Sequence, residues 1–543
     1  MLSIIGFLAV LGPLVVVHEL GHYFFARVFN VKAEVFSIGF GPKLWNRKIG
    51  ETEWRVSAIP LGGFVKLLGE EVDANVPASE QDRALQRQAP WKRFFIFFGG
   101  PLFNFLWAIV VFMAILLIGE PQMASVVGRV VQGSYAQKVG FQSGDRVTAI
   151  DGKPIKSFEE LMVAINDSPS KPVNFDIVRE PNVAAHITAA PVTQDGYSVY
   201  GEATHVGEIE GLIPSARATQ FGISNPDSAA GKAGLKTGSE VAKMNGTPFT
   251  SWELIERNYQ KLAPGSMIRF EIKKPKTSEK SEVTLSKPGK SAGSLGPDLG
   301  LYSSELFIEK TVPKSPAEAA GLQPGDRLVS VGNQTIQSFF ELKDAVQRAG
   351  EKDGKVNVSW ERNGKLISVT ITPTATGTRD ALLKKSVQYT IGVAPMLMWD
   401  EPVTFIERIY NPFVLVYKAT ERMAIFSWRN IVSLEKMLTG DVSVSSLGGP
   451  ILIGKIAGES LSRGLIAFLT TMAILSVGLG VLNVLPVPVL DGGHLLLLGI
   501  EALRKRPLTL RQMEIFQQVG LSLILLLMVV VIKNDLSRLP LFN

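Results

Sequence analysis

His18 and His22 enclose Glu19 in a His-Glu-x-x-His pattern at the end of a run of 17 residues without a charge. On a helix this spacing puts both imidazoles on one face, one turn apart, where both can reach one zinc ion. Glu19 can then reach a water on that ion as general base, the arrangement of metal-dependent peptide hydrolysis. An aqueous metalloprotease would carry the motif in a soluble helix. Here the helix begins near Met1 and is long enough to enter a bilayer, so the implied chemistry is hydrolysis of a peptide bond in or at a membrane. The bland alternative is a pair of helix histidines satisfied by hydrogen bonds.

A catalytic zinc usually has three protein ligands, so a third must come from another membrane segment. Asp491 closes an uncharged run of 27 residues, Gly464–Leu490, where an acid is costly unless a cation compensates it. Pro486 and Pro488 should break the helix locally and point Asp491 towards the first span. Asn483 is a candidate for hydrogen bonding a freed substrate backbone, or else a helix-breaking polar residue satisfied internally. His494 is read as a neighbour of the site rather than a fourth ligand, and His186 and His205 as having no metal role.

Four segments are candidate spans: residues 1 to about 25, then Phe94–Ile118, Gly464–Leu490 and Ile515–Ile532, the last three with uncharged runs of 25, 27 and 18 residues. About 20 apolar residues cross the roughly 30 Å of hydrocarbon in a bilayer. The first has no basic n-region and no small-residue cleavage site after it, so it is read as retained. Arg27, Lys32, Lys92 and Arg93 flank the connection between spans one and two, and Arg504, Lys505, Arg506 and Arg511 lie between spans three and four. Both connections should therefore face the cytoplasm, with the long insert from Glu120 to about Arg463 on the other side. A hydrophobic content of 46% and a mean hydropathy of +0.19 suit membrane helices mixed with aqueous domains. The chain has no cysteine, which excludes disulfides and thiolate metal sites. Its net charge of +6 forms no basic stripe with interleaved aromatics, so nucleic acid is not expected as a partner.

Within the insert a pattern recurs three times, as Ser134 to Gly140, Ser228 to Gly234 and Ser315 to Gly321. Gly144, Gly238 and Gly325 follow four residues later, and Phe158, Trp252 and Phe339 eighteen residues later. Each copy reads as a turn, a short apolar strand, a second turn and a helix opened by an aromatic. Spacings of 94 and 87 residues are too long for a solenoid, so each copy is its own small domain. They resemble PDZ domains of the permuted bacterial kind, in which the carboxylate-binding strand comes last. Candidate strands are Leu299-Gly300-Leu301, Ile391-Gly392-Val393 and, as a weaker match, Gly211-Leu212-Ile213. Such grooves bind an extended chain by strand addition; the other reading is a purely steric array. Lys273–Lys280 and Pro288–Gly296 read as solvated loops.

Val31 to Lys66 is too polar to span and alternates like strands. By its residues it is a cytoplasmic hairpin capping span one. Pro412 to Leu438 places Lys418, Arg422, Arg429 and Lys436 on one face, as in an amphipathic helix lying in the membrane surface. Packing on the third module is the alternative.

His-Glu-x-x-His near the start, Asn483-x-x-Pro-x-Pro-x-Leu-Asp491-Gly-Gly-His494 near the end and PDZ-like modules between them closely resemble the site-2 protease family, nearest its bacterial regulator-of-sigma-E type. Gly39-Phe40-Gly41-Pro42, Ile59-Pro60-Leu61-Gly62-Gly63 and Leu447-Gly448-Gly449-Pro450 extend the likeness over nearly the whole chain. The three PDZ-like copies depart from the two of the commonest proteobacterial pattern. The resemblance implies Zn2+ held by His18, His22 and Asp491, with Glu19 as base. It makes Gly39, Phe40, Gly41, Asn483, Pro486 and Pro488 candidate substrate-binding residues. For Val31 to Lys66 it implies instead a sheet dipping towards the active site, whose edge pairs with an unwound substrate. The expected fold class is a multi-pass α-helical membrane protein with four transmembrane helices, a membrane-associated β-hairpin region and an inserted extracytoplasmic array of PDZ-like α+β domains. The expected division is a transmembrane helix at 1–29, a hairpin region at 30–93 and a second helix at 94–118. Three PDZ-like domains follow at 121–213, 214–303 and 304–396, then the amphipathic helix at 412–438 and transmembrane helices at 464–490 and 515–535.

The implied function is intramembrane cleavage of single-pass transmembrane proteins, such as an anti-sigma factor or remnant signal peptides. The implied location is the bacterial inner membrane, with the PDZ-like domains on the periplasmic side, where they could meet peptide C-termini. The alternative from another class is a catalytically silent membrane scaffold with a structural zinc, binding extracytoplasmic C-termini. A metal transporter is disfavoured, because one intramembrane Asp makes no polar pathway.

Overall fold

A computed structural model describes residues 2–537 except 71–75, 180–181, 276, 278, 353, 380–384, 397–398, 443–446 and 507. Parts of the expected hairpin region, of the three PDZ-like domains and of the Lys273–Lys280 loop thus lie outside the described residues. The chain divides into two compact units: residues 1–121, 199–202 and 406–543, and residues 122–198 and 203–405.

The first unit is built on helices. Among the described residues, four are long and apolar enough to cross a membrane: α1 (Leu2–Val28), α2 (Pro90–Ile118), α5 (Leu465–Val484) and α7 (Leu510–Ser537). Between α2 and α5 the unit adds α3 (Pro412–Thr439) and α4 (Pro450–Arg463), and α6 (Asp491–Arg504) follows α5. Val10, Leu14, Phe112, Phe468, Met472 and Val477 share one core contributed by α1, α2 and α5. Small residues set the closest approaches: a Cβ added to Gly21 would fall 2.1 Å from the Gly99 carbonyl oxygen, and one on Gly6 would fall 2.7 Å from the backbone of Ala457. Without an apolar driving force between helices in lipid, such backbone contacts are what holds membrane helices together. Helix α7 is mostly exposed.

The uncharged run Gly464–Leu490 breaks near Pro486 and Pro488, as their ring geometry leads one to expect, so the expected span at 464–490 is helical only in part. Helix α5 stops at Val484, and Asp491 opens α6 instead of closing a span. Pro486 and Pro488 cannot donate to a helical ladder, and Val489 takes a positive φ of 76°. The two glycines after Asp491 are needed for the return turn: a Cβ on Gly492 would lie 2.0 Å from the Leu485 carbonyl oxygen, and one on Gly493 would lie 2.5 Å from that of Val487.

Helix α3 stacks Phe426 on Phe112 of α2, ring centroids 5.9 Å apart, and buries Leu415 and Ala419. Its basic face is engaged by protein groups: Arg422 pairs with Glu120 at 2.6 Å, Arg429 donates to the Val199 carbonyl at 2.7 Å and Lys436 to the Gly201 carbonyl at 2.6 Å.

Strands β1 (Ala33–Ile49) and β2 (Thr52–Leu67) make the hairpin. Register shifts curl it, so that Phe36 has Val65 as partner on one side and Trp54 on the other, while Asn46 pairs with Arg55. Leu44, Trp45 and Ile49 are exposed, which suits a hairpin dipping towards lipid.

The second unit holds three separate apolar cores, one per copy of the repeat. In the first copy, Lys153–Pro154, Arg146–Ile150, Val173–Arg179 and Val183–Ala189 form a sheet in that order, with helix Phe158–Asn166 against it. The third repeats this with Gln334–Thr335, Arg327–Val331, Val356–Arg362, Lys365–Ile371 and helix Phe339–Lys352. The second has helix Trp252–Lys261 and a sheet in which Tyr302–Ser303 is an edge. The opening serines of the repeat cap short helices, their hydroxyls accepting from the backbone N–H of Gln137, Gly231 and Glu318. Against them lie Gly211, Gly300 and Gly392. A Cβ there would come within 2.2 Å of Ser134 Oγ, 2.3 Å of Ser228 Oγ and 2.3 Å of Ser315 Cβ. The three closing glycines therefore pack against the opening serine in each copy, but Leu299-Gly300-Leu301 is not the expected strand: Leu299 ends a short helix, Leu295–Leu299, that Gly300 caps at φ 81°, and the strand follows at Tyr302–Ser303.

Candidate metal centre

Helix α1 presents His18 and His22 on one face, ring centroids 4.9 Å apart and nearly perpendicular. The first residue of α6, Asp491, meets them. His22 Nε2 lies 3.3 Å from His18 Nε2, Asp491 Oδ2 lies 3.2 Å from His18 Nε2, and Asp491 Oδ1 lies 3.4 Å from His22 Nε2. Among the described residues this is the one group of three His, Asp or Glu side chains able to hold a metal ion, with ligand atoms within 4.8 Å of one another. Residues 473 positions apart in sequence meet here because the turn after α5 re-enters towards α1.

The arrangement fits zinc. A tetrahedral ion with bonds of about 2.0–2.1 Å holds its ligand atoms about 3.3–3.4 Å apart; the two imidazole nitrogens are 3.3 Å apart, and each has one of the two Asp491 oxygens at 3.2–3.4 Å. Asp491 Oδ2 is buried without a hydrogen bond, and two ring nitrogens face one another beside it. Converging lone pairs of this kind are what a divalent cation satisfies.

Helix α2 supports both imidazoles. The Ile96 carbonyl is 2.8 Å from His22 Nδ1, and the Asn104 side-chain amide is 3.0 Å from His18 Nδ1. Gly99 and Gly100 let α2 come this close. Asn104 is fully buried, and its backbone carbonyl accepts from Ser476 Oγ of α5 at 2.8 Å. These α2 residues were not among the candidates read from sequence. The signal was present: a polar Asn within an uncharged span, four residues beyond a Gly-Gly pair, marks a helix contact with a polar task.

Glu19 is 7% exposed, and β2 passes directly against it: a Cβ on Gly63 would lie 3.0 Å from Glu19 Cγ. Gly39 and Gly41 take φ values of 89° and 84° where β1 kinks, and Ser37 Oγ donates to the Gly39 carbonyl at 2.9 Å. Phe40 is half-exposed and stacks on Phe64. Asn483 is buried at the end of α5, and Pro486 and Pro488 lie in the link to α6. His494 stacks face to face on Phe97, centroids 4.5 Å apart, and is not in the metal group. His186 and His205 pair with Asp176 and Asp195 in the second unit.

Peptidase family M50 matches residues 6–527. The chain is 30% identical to a candidate zinc metalloprotease of Vibrio cholerae, over 99% of each chain. It is 30% identical to protease RseP of Yersinia pestis, again over 99% of each, and 29% identical to the regulator of sigma-E protease RseP of Escherichia coli, over 98% of each.

Proposed function

This chain belongs to peptidase family M50 and is a zinc metalloprotease, and from that membership we propose that it cleaves single-pass transmembrane proteins within the bilayer, using His18, His22 and Asp491 as metal ligands and Glu19 as general base. The observation that carries the reading is the convergence of His18, His22 and Asp491, with ligand atoms within 4.8 Å of one another, supplied by a helix apolar enough to span and by the turn after another.

Zinc, when bound, lowers the pKa of a coordinated water to about 7 and polarises a carbonyl oxygen. Glu19, shielded beside Gly63, takes the proton from the attacking water and returns it to the leaving amine. Asp491 and the two imidazoles hold their positions through α2 and the Gly492-Gly493 turn. A substrate helix hides its peptide bonds in its own ladder, so the scissile segment must be extended before attack. The kinked strands at Gly39–Gly41 and Gly63, with Asn483 and the Pro486–Pro488 link, are the groups we assign to holding it.

In this reading the substrates are membrane proteins such as an anti-sigma factor, or remnant signal peptides. The support is the sigma-E regulation in the names of relatives. The three modules act as a PDZ-like array outside the cytoplasm, filtering by size or reading new C-termini, and the protein resides in the bacterial inner membrane. A catalytically silent scaffold would leave the buried Glu19 without a task. The test is reconstitution in detergent with a model transmembrane substrate: cleavage should disappear with Glu19→Gln and with a zinc chelator. Cleavage indifferent to both would reject the proposal.

A further inference from the structure

Both candidate ligand imidazoles turn Nε2 towards the cation position, 3.3 Å from one another. A neutral imidazole that coordinates through one nitrogen carries its proton on the other. His22 meets this condition, because its Nδ1 faces the Ile96 carbonyl, an acceptor, at 2.8 Å. His18 Nδ1 instead faces the terminal amide of Asn104, with Nδ2 placed 3.0 Å away and Oδ1 buried without a hydrogen bond.

That orientation has the Asn104 amide N–H donating to a bare His18 Nδ1. It cannot persist with zinc on Nε2, since two N–H donors would then face each other across 3.0 Å. The oxygen and nitrogen of an amide occupy nearly the same volume, so a half-turn of the group exchanges them in the same space.

We propose that Asn104 is a positioning residue which, with zinc held, turns its amide oxygen to His18, accepts the Nδ1 proton and so fixes the Nε2 lone pair on the metal. The residue is suited to this. It is fully buried, and the Ser476 hydroxyl anchors its backbone carbonyl from α5. Outer partners of this kind set ligand orientation, and losing one typically weakens metal binding about 10–100-fold. The proposal rests on the reading of His18, His22 and Asp491 as ligands.

The test uses the full chain in detergent, in a Glu19→Gln background so that cleavage is not the readout, and measures zinc affinity by competition with a chelator at fixed pH. Asn104→Leu should bind zinc about 10–100-fold more weakly. Asn104→Asp keeps an acceptor oxygen in place and should stay within about threefold of its parent. An unchanged affinity in Asn104→Leu, or an equal loss in both variants, overturns the proposal. Nitrogen NMR of isotope-labelled histidine in the zinc-loaded parent needs no variant to fold: it should find a protonated Nδ1 on both His18 and His22, and a bare Nδ1 on His18 overturns the proposal. Zinc held as tightly by His18→Ala as by its parent would overturn the ligand assignment and this inference together. Dependence on His18 with indifference to Asn104→Leu would sink this inference alone.

Discussion

Gly100 of α2 stands against His22 so closely that no side chain fits between them: a Cβ there would fall 2.4 Å from His22 Nε2 and 2.6 Å from His18 Cε1. The candidate metal centre therefore depends on an absent side chain as much as on its candidate ligands. Gly100→Ala should push α2 from α1 and displace an imidazole. A misplacement near 1 Å can cost about 100-fold in rate, so cleavage should fall by that order and bound zinc should drop. Gly12→Ala on the same helix as the histidines meets nothing within 4 Å and serves as control. Equal activity in the two variants would contradict the packing argument.

Glu19→Gln keeps the size of the side chain beside Gly63 and removes its basicity. General-base loss should lower cleavage about 10²–10⁴-fold. Bound zinc, measured by elemental analysis, should match the parent. A variant that cleaves at the parent rate would remove Glu19 from the chemistry.

Chelation should abolish cleavage reversibly, with activity restored by added zinc. Apo-protein should also lose stability, because metal that binds only the folded state contributes to its free energy. Comparing thermal unfolding before and after chelator tests this, and identical curves would count against a metal held within the helix core.

Three modules of the second unit meet at one buried ionic junction. Glu305 accepts from Arg129 at 3.2 Å and from Arg217 at 3.1 Å, and Arg217 pairs with Glu253 at 2.7 Å. Arg129 and Glu305 are 5% and 3% exposed, so removing one charge strands another. Glu305→Gln should cost about 3–5 kcal/mol, read by hydrogen exchange across the module cores. A change below about 1 kcal/mol, the range of a surface pair, would mean water reaches the junction.

Glu51 connects the hairpin turn to the end of α1. Hydrogen bonds from Arg83, and then from Arg27, hold its carboxyl down to about 2. A folded-state value below the ordinary 4.5 means the pair contributes fully above about pH 4.5, and the contribution is lost as pH falls through 2. The group is solvent-exposed, so added salt should weaken the effect. Carboxyl titration by NMR should find Glu51 near 2, and Arg83→Gln should move it towards 4.5. An unmoved titration would dismiss the pairing.

Much of the site can be read from spacing. His18 and His22 are linked by local helix geometry, so four residues of separation suffice to align them. The apolar spans follow from run length alone. The repeat spacing did not single out the buried clamps: Asp145 is held by Arg179 and Asp326 by Arg362, each bidentate at 2.6–2.7 Å, and the second copy has Ser239 in the corresponding position. The end of α5 was not legible in the same way. Counting uncharged residues cannot tell a helix from a helix followed by an apolar turn, and the proline pair decides only where the ladder stops.

Local pattern was thus enough to align the two imidazoles of the motif and to mark the apolar helices found among the described residues, since both depend on neighbours a few residues apart. The tertiary structure alone decided that Asp491 opens a helix of its own. It also decided that α2 carries the supports of both imidazoles, and that Gly63 covers Glu19. Those facts depend on which backbones can approach within contact of one another. That is set by glycines hundreds of residues apart in sequence, and no periodicity along one segment records it.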